Sequence, residues 1–262
     1  AHTPISFNEN FLDMLAEKWD NNGELTAIGQ RMEFILGLKN RKKYILDKKF
    51  ISEKYNPHEI LVLSSRSNRT IMSVNSFLQG FYLSSQNSSD TLTESQIKAA
   101  YPQGENITDE TIKAEIVNLN DSPLPNYMTI PPVYVVSPIE RKLVAHNSEG
   151  CEKHTNITRD QNTLKMDSIK DITKEFNKKY AEKFNDFYKK EDKNFTYNFD
   201  WIGLMCDTFV ADFTEGRELT EFKNATGIAG EKAIKEFTDF CWKAITVNFR
   251  DNFYGDNEQQ II

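Results

Sequence analysis

No stretch of this chain approaches the roughly 18 consecutive apolar residues that a membrane-spanning helix needs. The mean hydropathy of -0.59 agrees. Positive charge is in the minority: 32 Lys and Arg stand against 39 Asp and Glu, for a net charge of -7. No basic stripe is available to neutralise a phosphate backbone, so nucleic acid is not an expected partner. Histidine is scarce, confined to His2, His58, His146 and His154, and no Cys-x-x-Cys or His-x-x-x-His spacing occurs. Neither a metal site nor a cofactor is therefore expected. The three cysteines leave at least one unpaired within the chain, or paired beyond it. No internal repeat is visible, which argues against a solenoid. What the chain does have is core material: 39% hydrophobic and 12% aromatic residues over 262 positions, enough for one large or two modest domains.

The most informative segment runs from His58 to Leu78. Ile60 to Leu63 form a short apolar run that predicts a strand covered on both faces. Ser64, Ser65, Ser67 and Asn68 supply turn and cap chemistry. Ile71, Val74, Phe77 or Leu78, and Phe81 then recur at helical spacing. Arg69 thus falls near a helix N-terminus, where the macrodipole disfavours a cation by about 0.3–1 kcal/mol. A bound anion would reverse that cost, attracted by both the guanidinium and the helix amides. The competing reading is a solvated surface arginine.

Along the rest of the chain, Asn8 to Trp19 reads as an amphipathic helix broken at Gly23. A second helix carries Ile28, Met32, Ile35 and Leu36 on its expected inner face. Lys39 to Lys49 alternates lysine with apolar residues and reads as a solvated helix face. Asn56-Pro57 precedes the central strand, Ser84 to Asp90 is a polar loop, and Ala99 to Tyr127 reads as irregular. Val133 to Val136 predicts a second short buried strand. Beyond Cys151 helices dominate. Ile169, Ile172, Phe176, Tyr180, Phe184 and Phe187 make one apolar stripe. Trp201 to Phe213 forms a packed segment, Gly216 to Phe222 a connection, and Ala233, Ile234, Phe237, Cys241, Ile245 and Phe249 a last amphipathic helix.

Four segments, in order, resemble the histidine acid phosphatases. They are Glu24-Leu25-Thr26-Ala27-Ile28-Gly29 with Leu36-Gly37, the turn from Ser64 to Arg69-Thr70 with Met72-Ser73, the run Ile130-Pro131-Pro132 to Pro138, and the Cys151 region leading into a long helix. The resemblance implies an α/β fold with a central, mostly parallel sheet flanked by helices and an all-helical cap domain, phosphoglycerate-mutase-like and incomplete at both ends. Residues 1–140 would form the α/β core and 141–262 the cap region, which in the family overhangs the phosphate site. The family opens its site with Arg-His-Gly-x-Arg-x-Pro, and Ala1-His2-Thr3-Pro4 fits the last four positions, with His2 where the second arginine belongs. The nucleophilic triplet would lie just before Ala1. The family's His-Asp proton donor has no counterpart, and by spacing would fall past Ile262. An alanine start, with no initiator Met and no signal-like segment, is expected not to be the translational start.

In the family a histidine attacks phosphorus, giving a phosphohistidine that water hydrolyses. Arginines clamp the phosphoryl oxygens, and an aspartic acid protonates the leaving alcohol. By resemblance, Arg69 and His2 are the phosphate-binding residues here, and no catalytic residue lies in the chain, which as given is expected to be inactive. The ligand would be phosphate or a phosphomonoester, and an oligomer or assembly partner is compatible. The alternative is a non-catalytic binding or structural module on the same fold, in a lumenal or surface assembly. The resemblance also implies a secreted or lumenal location (lysosome-like, vesicular or at the cell surface). Seven Asn-x-Ser/Thr triplets exceed the roughly three that composition would give by chance. Asn87, Asn106, Asn156, Asn194 and Asn224 are the glycosylation candidates. Asn120 is a poor acceptor because Pro123 follows its triplet. A glycan on Asn68 would obstruct a pocket at Arg69, so Asn68 is expected to be bare. The resemblance lets Cys151 or Cys206 pair beyond Ile262. Cys206 with Cys241 would instead staple the helical half, and three buried thiols is the remaining alternative.

Overall fold

The computed structural model describes residues 23–83, 91–100, 107–136, 167–188 and 199–253. They fall into two compact units. One is Ala27–Val135; the other draws its described residues from 23–26 and 136–253. The expected helix over 8–19, the loop over 84–90 and Cys151 lie outside the described residues.

In the first unit α1 (Ala27–Asn40) runs into a π-helix (Arg41–Asp47), β1 (Leu63–Ser64) leads into α2 (Asn68–Phe81), and two short helices follow, α3 (Glu94–Ala99) and α4 (Glu110–Leu119). β2 (Tyr134–Val135) lies parallel to β1, with Leu63 opposite Tyr134 and Ser64 opposite Val135. The Tyr134 amide donates to the Val62 carbonyl at 2.9 Å, extending the pairing by one residue. The strand is thus shorter and later than the apolar run at 60–63 predicts. Nor is it covered on both faces: Leu61 is 70% exposed, and Tyr134 and Val135 also face solvent.

The α1 face also differs from expectation. Ile28, Met32, Ile35 and Leu36 are exposed, while Gly29 and Gly37 are buried. The reason is the way α1 meets α2. A Cβ on Gly37 would stand 2.1 Å from the Phe77 carbonyl oxygen, and one on Gly80 would stand 2.1 Å from that of Phe34. Two glycines let the backbones touch, so the helix buries its glycine edge instead of its isoleucine edge. Behind this contact Ile45, Leu78, Phe81 and Tyr82 form a small core. Arg41 is buried against it, donating to the Phe81 carbonyl at 3.2 Å and pairing with Glu53 at 2.5 Å. Its charge therefore sits at the α2 C-terminus, where the macrodipole favours a cation.

The segment from Ala99 to Tyr127, expected to be irregular, contains α4. Asp109 caps it, accepting from the Thr111 and Ile112 amides at 2.8 and 3.1 Å. That cap was readable in Asp109-Glu110, an N-cap acid with a first-turn acid behind it. Asn56 closes the connection ahead of β1, its side-chain oxygen accepting from the His58 amide at 3.0 Å.

Between 167 and 253 the described residues of the second unit form helices and turns: α5 (Asp167–Lys179), α6 (Ala181–Tyr188), α7 (Phe199–Thr214), α8 (Thr220–Thr226) and α9 (Glu231–Phe253). The stripe on α5 and α6 is buried as expected at Ile172, Phe176, Tyr180 and Phe184, with a break between the helices at Tyr180. The side chains of Phe187 and Phe249 lie outside the described residues. Phe209, Phe222, Phe237 and Phe240 join that stripe, with ring centroids 4.6–5.0 Å apart where Phe209 and Phe237 meet their closest neighbours. The connection read at 216–222 includes the start of α8, entered from Leu219 in a left-handed conformation (φ 58°) that turns its side chain into the core. Cys206 on α7 and Cys241 on α9 form a disulfide, their Cα atoms 4.9 Å apart.

Candidate phosphate site

β1 delivers the turn from Ser64 to Thr70 to the N-terminus of α2. Ligands of open α/β sheets gather at this carboxyl end of a parallel strand. Thr70 organises the turn. Its hydroxyl donates to the Ser67 carbonyl at 2.8 Å and lies 2.7 Å from the Ser65 hydroxyl. Buried Ser64 donates to the Ser65 carbonyl at 3.1 Å, closing the turn beneath. The Thr70 and Ile71 amides both donate to the Ser67 carbonyl, at 3.1 and 3.2 Å, which starts the helix.

Ser67 occupies the N-cap position with extended backbone (φ -73°, ψ 136°), but its side chain makes no capping hydrogen bond. Asn68 is the first helical residue. No acidic residue lies in the first turn of α2. The positive end of a 14-residue helix therefore meets two arginines, Arg66 and Arg69, without an adjacent carboxylate in the turn. Arg69, the second helical residue, is half-buried, and Arg66 is exposed. Arg66 was passed over in the sequence reading, although Ser65-Arg66-Ser67-Asn68-Arg69 already places two cations in one acid-free turn.

Such an arrangement can hold an oxyanion. Amides of a helix start, hydroxyls and a planar guanidinium all donate, and the dipole has the matching sign. Among the described residues no cluster of His, Cys, Asp and Glu suits a metal ion.

Of the other expected site residues, His2, Asn87, Asn106, Asn156 and Asn194 lie outside the described residues. Asn224 is exposed on α8, while Thr226 of its triplet is buried, donating to the Phe222 carbonyl at 2.8 Å. Asn68 is exposed beside Arg69. Ser122, third in the Asn120 triplet, is buried, and its hydroxyl accepts from the Tyr127 amide at 3.1 Å.

Residues 8–206 match the family model of the histidine phosphatase superfamily (branch 2). Over 81 residues the chain is 35% identical to lysophosphatidic acid phosphatase type 6 of Mus musculus, a match covering 30% of this chain and 19% of that protein. Over 60 residues it is 42% identical to lysosomal acid phosphatase of Xenopus laevis, covering 23% of this chain and 13% of that protein. The matched stretch thus spans less than a fifth of either relative's length. On the family match over residues 8–206, this chain belongs to the histidine phosphatase superfamily, branch 2.

Proposed function

We propose that this chain carries the phosphate-clamping turn of a lumenal or secreted phosphomonoester hydrolase. Arg69 is the clamp residue, and His2 is a second phosphate contact when protonated. The phosphoryl group would pass through a phosphohistidine, with the nucleophile and the general acid supplied by polypeptide other than these described elements. The observation that carries this reading is Arg69 at the N-terminus of α2, in a first turn without an acidic residue and directly after a parallel strand. The sheet supports the second part. All-parallel sheets are ordinarily covered on both faces, whereas Leu61, Ile130, Tyr134 and Val135 are exposed here. Among the described residues the pairing stops at two strands, which leaves room for others beside it. The relatives' printed names, an acid phosphatase and a lysophosphatidic acid phosphatase, support phosphomonoesters as substrates. A disulfide in the helical unit favours an oxidising compartment. In that compartment Asn87, Asn106, Asn156, Asn194 and exposed Asn224 are the glycan acceptors.

The test is Arg69→Ala beside Arg69→Lys, with inorganic phosphate affinity measured by calorimetry and p-nitrophenyl phosphate turnover measured on the native protein. Loss of a charge-assisted bidentate contact corresponds to about a 10- to 100-fold weaker phosphate affinity. Lysine restores charge without the fork and recovers only part of it. Unchanged affinity and turnover in Arg69→Ala would remove Arg69 from the site. Phosphate binding without turnover by the native protein would favour the non-catalytic module.

A further inference from the structure

Residues 39–54 concentrate seven cations against Asp47 and Glu53, a net of +5 in a chain whose total is -7. Arg41 is buried on Glu53 and the Phe81 carbonyl, and Lys42 pairs with Asp47 at 2.6 Å. The pattern reads in sequence as an ordinary solvated helix face, but the structure makes it something narrower. A π-helix turns Arg41 and Ile45 inward and leaves Lys42, Lys43 and Leu46 exposed.

The chain then folds back at once. The Lys48 amide donates to the Lys43 carbonyl at 3.1 Å, and the Phe50 amide to the Tyr44 carbonyl at 2.8 Å. Lys49 takes a left-handed backbone (φ 49°) to make this turn, a conformation that costs a non-glycine residue and persists only where surroundings enforce it. The ammonium groups of Lys43 and Lys48 stand 4.9 and 6.0 Å from the centroid of one ring, that of Tyr44. Phe50 ends up 77% exposed and Leu46 51% exposed, next to those lysines. Phe50 is the most exposed large apolar side chain among the described residues.

We propose that this turn, with Lys43, Leu46, Lys48, Lys49 and Phe50, is a docking surface for an anionic phospholipid bilayer. The charge of the turn is opposite to that of the rest of the chain and complements an anionic surface. Its two apolar side chains match the interfacial layer, which takes up aromatic and aliphatic tips while lysines reach the lipid phosphates. A soluble acidic partner would account for the lysines but not for Phe50 presented into water between them.

The test is co-sedimentation of the 262-residue chain with vesicles of phosphatidylcholine alone and of phosphatidylcholine with phosphatidylserine at 7:3. The expected result is partition into the anionic vesicles only, weakening steeply as salt rises from about 50 to about 500 mM. Each lysine near the surface accounts for about a fivefold change in partition. The double change Lys48→Glu with Lys49→Glu, at two exposed positions, therefore lowers binding at least about 25-fold. Phe50→Ser weakens binding while leaving the salt dependence unchanged. Unaltered circular dichroism and melting temperature in both variants establish that the fold is retained. Equal partition into neutral vesicles, no partition into anionic ones, or unchanged binding by the double variant each overturns the proposal. So does binding to polyglutamate or RNA as tight as to vesicles and indifferent to Phe50→Ser.

Discussion

Replacing Gly80 by alanine should be far more damaging than a single methyl group suggests. The added Cβ would lie 2.1 Å from the Phe34 carbonyl oxygen, with the Leu38 amide nitrogen 3.0 Å away. Ordinary van der Waals contact begins near 3.4 Å, so α1 and α2 must part by roughly 1.3 Å at that point, and no side chain can rotate aside because the obstacle is backbone. A gap of about 1 Å forfeits up to half of each dispersion contact across the seam. Overpacking of this kind costs about 1–3 kcal/mol and occasionally more. Alanine's better helix propensity returns about 1 kcal/mol. With backbone meeting backbone, the upper end applies, leaving a net loss of about 2 kcal/mol. For a unit of this size that lowers Tm by about 8–16 °C. Gly227→Ala provides the contrast. Its Cβ meets nothing within 4 Å, but φ is +67° at the C-terminus of α8, so its cost is conformational, about 1 kcal/mol. Thermal and urea unfolding of both variants, followed by circular dichroism, separates the two mechanisms. A Gly80→Ala protein as stable as the parent would show that the helices do not touch here, and the account of the exposed Ile28 and Ile35 would fall with it.

Tyr82→Phe is expected to stabilise the fold by about 1 kcal/mol. The Tyr82 hydroxyl is buried without a hydrogen-bond partner, and burial, then Glu59 and Tyr55, push its pKa up to about 12; a loss of stability in urea titrations would mean that the hydroxyl is satisfied. Replacing both Cys206 and Cys241 by alanine opens a loop of 35 residues' separation, with a chain-entropy cost of about 4 kcal/mol, and unchanged unfolding with and without reductant would contradict the link. Glu175 accepts from Lys179 and Lys243, each at 2.7 Å, joining α5 to α9, and these bonds, Lys179's first, hold its carboxyl below the ordinary value of 4.5. Its contribution is present above the unfolded pKa and lost as pH falls through the depressed folded value. The Tm difference between parent and Glu175→Gln should therefore be full at about pH 7 and close in more acidic buffer; a difference that widens in acid would refute the assignment.

The second unit was largely legible because its helices announce themselves by one device. Phe176, Phe184, Phe237 and Cys241 recur at helical spacing and are fully buried. Where an apolar stripe and the packed face coincide, periodicity suffices. In the first unit they do not coincide. Ile28, Met32, Ile35 and Leu36 form the better stripe, yet the structure buries Gly29 and Gly37. Hydrophobic periodicity gives glycine no weight, so a contact driven by close backbone approach is invisible to it until the partner glycine, Gly80, is placed opposite.

The candidate phosphate site divides in a similar way. Arg69 falls where the strand, turn and helix signals put it, in the first turn of α2, although the strand before it is shorter and later than its apolar run. The capping chemistry did not follow. Ser67 and Asn68 are good capping residues in isolation, but the Ser67 side chain is not used as a cap and Thr70 folds the turn from inside the helix. This difference bears on chemistry. A side-chain cap would place an acceptor oxygen over the amides of the first turn and compete with an incoming anion. Without that cap, Arg66 and Arg69 stand at a helix start whose first turn carries no carboxylate. The proposed oxyanion site rests on this start without a Ser67 side-chain cap.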